Sequence, residues 1–239
     1  MDERERRRAS RRRRAGKDYP AEDLGNGVEV ATPEAVLRAV GSLPRDLDWE
    51  ELAPSVIPVL PRRRPMPQAS GEPFRVTLPP GIATGFGIDI GPAFLMVGTQ
   101  LMSGWPIKPA ELVVRALANL GDRMRAVRAR DLVEVEIEGV PARVLQTGLG
   151  CASALVLLPD ELLRIFGHRS QCLLAPMRDL VVSLPPDVDL VFAAWLNEEL
   201  AAMDPNGLAL EAFMLEDGRI RPERLPWAGA GHALNPVTA

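Results

Sequence analysis

Between residues 154 and 220 short apolar runs alternate with helix-patterned segments, and that order restricts the chain to few folds. Ala154-Leu155-Val156-Leu157 reads as a strand. Pro159 to Phe166 reads as a short helix, with Gly167 set to end it. Cys172-Leu173-Leu174 and Leu180 to Leu184 read as two strands flanking Ala175 to Asp179. Asp187 is placed to cap an amphipathic helix carrying Val188, Val191, Phe192, Trp195, Leu196, Leu200 and Met203, with Trp195 expected in the core. Leu210, Ala212 to Leu215 and Ile220 read as a closing hairpin around Asp217-Gly218. The order is strand, helix, strand, strand, helix, strand. It predicts an α+β fold: an antiparallel sheet with helices packed on one face, and in the second half a split βαβ arrangement of ferredoxin-like order.

The first half is more broken. Thr32-Pro33-Glu34 opens a helix that Gly41 can close. Trp49 and Leu52 mark a helical turn, and Val56-Ile57-Pro58-Val59-Leu60 an extended piece. Pro58 lacks an N–H, so that piece is expected to be an edge strand or polyproline-like. Phe94 to Val97 reads as a buried strand. Pro109 to Leu120 is helical by its spacing of Leu112, Val113, Ala116, Leu117 and Leu120, with room to continue to Met124. Leu132 to Ile137 alternates Val and Ile with Glu, so one face should be buried and one wet. Glu138-Gly139 turns it towards Val144 to Thr147.

These readings divide the chain into a disordered basic tail over 1–25 and an N-terminal helix and extended segment over 32–60. A Pro-rich linker over 61–80, an α+β core over 81–222 and an irregular C-terminal tail over 223–239 follow. With 23 Pro, 20 Gly and few aromatics, the core has to be built from Leu, Val, Ala and Ile. At 239 residues the chain can bury such a core without a disulfide or metal staple. No stretch of about 18 apolar residues exists, which excludes a spanning helix. The basic start runs into Lys17-Asp18-Tyr19-Pro20-Ala21-Glu22-Asp23, so no secretory leader is expected. The expected compartment is the cytoplasm, with Cys151 and Cys172 free, although their spacing leaves a single bridge open.

At this point the motifs can be compared with a known pattern. Val56 to Leu60, Trp105 followed by a helix holding Ala116-Leu117-Ala118-Asn119-Leu120, Gly150 to Ala154 leading into Leu157-Leu158, and Pro176-Met177-Arg178-Asp179-Leu180 occur in this order. Over residues 32–222 the chain resembles the bacterial YtpQ-like family of uncharacterised proteins. Where relatives tend to carry an Asp-Gly-Tyr-Asp stretch, this chain has Gly148-Leu149-Gly150-Cys151-Ala152-Ser153. The resemblance implies an intracellular α+β fold and no reaction.

Candidate chemistry is thin. Gly81, Gly85, Gly87 and Gly91 follow Pro79-Pro80 and lead into a β-like run, so turns are expected there, not a phosphate loop. Cys151 and His168 are the weak catalytic candidates, as nucleophile and base of a small hydrolase. Arg178 and Asp179, between two apolar strands, are expected to form a bidentate pair or an anion site. Glu134, Glu136 and Glu138 read as a solvated face or a guarded edge strand. No metal site and no cofactor is expected. The leading expectation is a non-enzymatic binding or adaptor protein with a protein partner still to be identified.

Charge supplies the last expectation. Residues 1–17 carry eight arginines and Lys17 against Asp2, Glu3 and Glu5, a net +6; the chain is at −4, so the remainder carries −10. Such a block should be solvated and mobile. Arg11, Arg12, Arg13 and Arg14 are its candidate nucleic-acid contacts, and binding through them would be weak and without sequence preference. Affinity for a labelled duplex should fall by about 10³-fold between 50 and 200 mM salt if about six phosphates are engaged. A chain starting at Asp18 should lose it. Salt-insensitive anisotropy, or binding retained after truncation, would contradict this.

Overall fold

The computed structural model describes residues 33–43, 47–62, 72–91, 93–204, 207–208 and 211–226. The basic tail and residues 227–239 lie outside these, as do positions 63–71 of the expected linker. The described residues belong to one unit of the chain. Among them no helix is long and apolar enough to cross a membrane.

The fold is α+β, with two antiparallel sheets. The smaller begins at β1 (Val56–Val59), which pairs with β3 (Ile82–Asp89). β2 (Arg75–Leu78) and β4 (Phe94–Met96) pair end to end along the other side of β3. Pro58 sits in β1 at the sheet's edge, where its missing N–H costs no ladder bond. Two expectations change here. Residues 75–78 of the expected linker are a strand, and 56–59 are part of the same sheet as the core. The Gly-rich stretch is also strand, not turn: Gly85 and Gly87 lie inside β3, and Gly81 and Gly91 take left-handed backbone at its two ends. A Cβ on Gly87 would meet Phe94 at 3.3 Å, so the absence of side chains lets β4 close on β3.

The larger sheet has six strands in the order β10-β9-β7-β8-β6-β5. It is three hairpins side by side: β5 (Val133–Ile137) with β6 (Val140–Leu145), β7 (Gln171–Met177) with β8 (Leu180–Leu184), and β9 (Glu211–Glu216) with β10 (Arg219–Arg224). β6 and β7 flank β8, and β8 and β9 flank β7, so each helical connection is a split crossover. The order is nevertheless not ferredoxin-like: β9 lies beside β7, where that order would put it beside β6.

Helices cover both faces of this sheet, not one. α1 (Pro33–Gly41) and the single turn α2 (Trp49–Leu52) precede β1, and α3 (Thr99–Gly104) follows β4. α4 (Pro109–Met124) and α5 (Pro159–Phe166) bring Leu120, Met124, Leu162, Ile165 and Phe166 against Leu173, Val181, Phe213 and Leu215. α6 (Leu190–Ala202) lays Ala193, Ala194 and Leu196 on the opposite face, over Cys172, Leu174, Val182 and Met214. The alternation along β7 and β8 is apolar on both parities, which demands two covers. A third cluster lies between α4 and the smaller sheet, where Trp49 and Trp105 meet at 5.1 Å between ring centroids.

Three local readings also change. Ala152–Leu157 is a 3₁₀ helix where a strand was expected; a short run buried on all sides carries no period that tells the two apart. The cap of α6 is Asp189, whose carboxylate accepts from the Val191 N–H, in place of Asp187. Trp195 is 36% exposed, because the small residues Ala193 and Ala194 face the sheet instead.

Long side chains tie these layers together through backbone groups. Arg164 of α5 donates to the carbonyls of Met124 and Val127 at 2.8 Å, satisfying the C-terminal end of α4. Asn119 of α4 donates to Ala53 O at 2.7 Å and Val56 O at 2.8 Å, fixing the helix to the start of β1. Asn119→Ala should therefore cost about 1–3 kcal/mol, since two carbonyls lose their donor. A urea unfolding midpoint equal to that of the parent protein would contradict this.

Candidate functional site

The turn of the β7–β8 hairpin carries Arg178 and Asp179, and the two side chains do not pair. Asp179 instead anchors the loop before the 3₁₀ helix. Its carboxylate accepts from Thr147 Oγ1 at 2.5 Å and from the N–H groups of Gly148 (2.6 Å), Cys151 (3.2 Å) and Ala152 (3.1 Å). A carboxylate filled by four donors is a structural clasp. Gly148 and Gly150 supply the left-handed turns that aim these N–H groups inward. Arg178 lies over the Phe94 ring, 4.7 Å from its centroid. Burial and then the nearby Arg62 pull its pKa down, and Asp204 opposes them.

Cys151 is part of the same clasp. It is 1% exposed, and burial pushes its thiol up to about 12, although Arg123 within hydrogen-bonding reach pulls the other way. Arg123 is engaged with Asp89 at 2.5 Å. His168 is elsewhere: it is exposed, just past Gly167 at the end of α5. Cys151 sits at the Asp179 end of β7 and His168 beyond its Gln171 end, so a strand length of roughly 20 Å separates them. The structure does not bring the two catalytic candidates together. Arg11 to Arg14 lie outside the described residues. No group of three or more His, Cys, Asp and Glu placed to hold a metal occurs among the described residues.

His168 does belong to a pocket, of mixed polar and apolar lining, that sequence reasoning missed. A cavity of about 430 Å³ opens at the end of α5, lined by Glu134, Arg143, His168, Gln171, Ser183 and Pro185 among others. Arg143 of β6 donates to Glu134 of β5 at 3.1 Å and to Phe166 O at 2.9 Å, joining the sheet's margin to the helix end. Ser183 donates to Gln171 Oε1, and Gln171 Nε2 donates to His168 O at 3.4 Å. The residues come from β5, β6, β7, β8 and the segments after α5 and β8, so no local motif marks them.

The pocket adjoins the open margin of the larger sheet. β5 ends the strand order, as a guarded edge strand should. The expectation of one buried face fails, however: Val133 is 48% and Val135 37% exposed, and the glutamates are exposed too. The opposite margin differs. β10 contains Pro222, and its Arg221 is paired with Glu216 and Glu223, features that blunt an edge.

Compared with family models, curated proteins and solved structures, the chain matches none.

The two thiols give a test of the clasp. Cys172 is also pushed up by burial, to about 11. An unfolded thiol releases its proton near pH 9, whereas these folded ones keep theirs. Their contribution to stability is therefore intact below about pH 9 and lost as pH rises through 11 to 12. Urea midpoints should fall between about pH 8 and 10.5, and the fall should shrink in Cys151→Ala. Iodoacetamide should label Cys151 only in denaturant; rapid labelling of the native protein would show a thiolate that burial forbids.

Proposed function

We propose that the protein is a non-enzymatic binding or adaptor protein of the cytoplasm, and that it takes an extended polypeptide segment onto the open edge of β5. One observation carries this reading: among the described residues β5 is the terminal strand of a six-stranded sheet, with side chains exposed on both faces and a pocket of mixed polar and apolar lining beside it. Strand addition draws affinity from backbone hydrogen bonds and specificity from pockets that take alternate side chains. The two free thiols are in keeping with a reducing compartment. The resemblance to the YtpQ-like family remains part of the proposal and brings no reaction with it. A hydrolase built on Cys151 has less support, because its thiol is buried and distant from His168.

Panning a random-peptide display library against the whole chain tests the reading. Enriched peptides should bind the parent protein and lose at least about tenfold in affinity to Glu136→Pro, which removes an edge donor without breaking the β5–β6 ladder. The variant's melting temperature should stay close to the parent's. Enrichment of no peptide, or of peptides that bind both proteins alike, would refute an edge-binding role.

A further inference from the structure

We infer that the segment accepted by β5 alternates basic and aliphatic residues. This rests on the open-edge reading of β5 and adds the chemistry of the partner. The β5–β6 turn is two residues long, with Glu138 at φ 50° and Gly139 at φ 82°, the type I′ geometry of a tight hairpin. Ile137 and Val140 then form a hydrogen-bonded pair, and so do Val135 with Ala142 and Val133 with Val144. The N–H and C=O groups of Glu134 and Glu136 are left pointing out at the open edge. Pro141, opposite Glu136, occupies a position where its missing N–H costs nothing in this ladder.

The side chains then set the pattern that fits. Glu134 and Glu136 lie on the face that carries Arg143, and Val133 and Val135 on the other. Arg143 answers Glu134 from the β6 side. Among the described residues Glu136 makes no ion pair. In an added antiparallel strand, the residues opposite Glu134 and Glu136 come to about 5.5 Å between Cα atoms, on the acidic face. Lysine or arginine there is favourable, and acidic residues there repel. The intervening residues fall over Val133 and Val135, where β-branched aliphatic side chains cover half-exposed methyl groups.

The same geometry disfavours an antiparallel second copy of the chain. Hydrogen-bonded pairs between two antiparallel β5 edges can form only between their outward-pointing residues, which sets the glutamates of one copy opposite those of the other. The glutamates thus guard the edge against antiparallel self-association and select for a basic partner.

The test uses the full chain and labelled peptides alternating valine with lysine, threonine or glutamate, read by fluorescence anisotropy at low salt. The lysine peptide should bind, the threonine peptide about threefold to tenfold more weakly, and the glutamate peptide not detectably. Glu136→Lys should weaken the lysine peptide about tenfold and strengthen the glutamate peptide, a gain that misfolding cannot produce. If all three peptides bind alike and all are lost in Glu136→Pro, the charge inference falls while the edge reading stands. If the lysine peptide binds Glu136→Pro as well as it binds the parent protein, it is held elsewhere on the acidic body and both fall. A chain dimer dissolved by Glu136→Pro would also overturn the inference.

Discussion

Strands β7 and β8 run through the middle of the six-stranded sheet with apolar side chains on both faces, and neither face can be left to water. Each buried Leu or Val contributes about 1.5–3 kcal/mol only while it stays covered. One face takes α4, α5 and the 3₁₀ helix; the other takes α6. The two split crossovers follow from this demand, because each helical connection leaves one side of the hairpin and returns on the far side of its partner strand. The smaller sheet is held in place by the same helix that covers the larger one. Leu112 and Ala116 of α4 face the Trp49–Trp105 cluster, and Leu120 and Met124, further along the same stripe, face the sheet core.

Burying that much backbone requires donors and acceptors to be matched where elements end. Three side chains do most of this. Asp179 takes up the N–H groups of the loop that enters the 3₁₀ helix, Arg164 takes up the last carbonyls of α4, and Asn119 takes up those before β1. Each is polar, yet each acts on backbone rather than on a ligand. Asp179, a candidate anion-site residue by sequence, is structural for this reason, and Cys151, whose N–H donates to the same carboxylate, is buried beside it.

What remains open lies at the margin of the sheet. β10 is blunted by Pro222 and by ion pairs, whereas β5 carries alternating valine and glutamate and, among the described residues, pairs only with β6. Like charges along one face suppress pairing with an identical strand without preventing pairing with an oppositely charged one. Edge protection and partner choice can therefore be the same feature.

Local chemistry was enough to read most elements from the sequence. Pro33, Pro109 and Pro159 open helices, Gly167 closes one in the left-handed region, and Glu138-Gly139 and Asp217-Gly218 turn hairpins, because these residues restrict their own backbone. The alternating Val and Glu of β5 allowed a solvated face or a guarded edge, and the structure puts the strand at the end of its sheet without the buried face that the alternation also suggested. Tertiary structure alone decided that 152–157 coils where a strand looked equally good, that β9 joins β7, and that helices cover both faces. It also decided that His168 faces a pocket rather than Cys151. Those outcomes depend on which residues distant in sequence share a surface, and no local period encodes that.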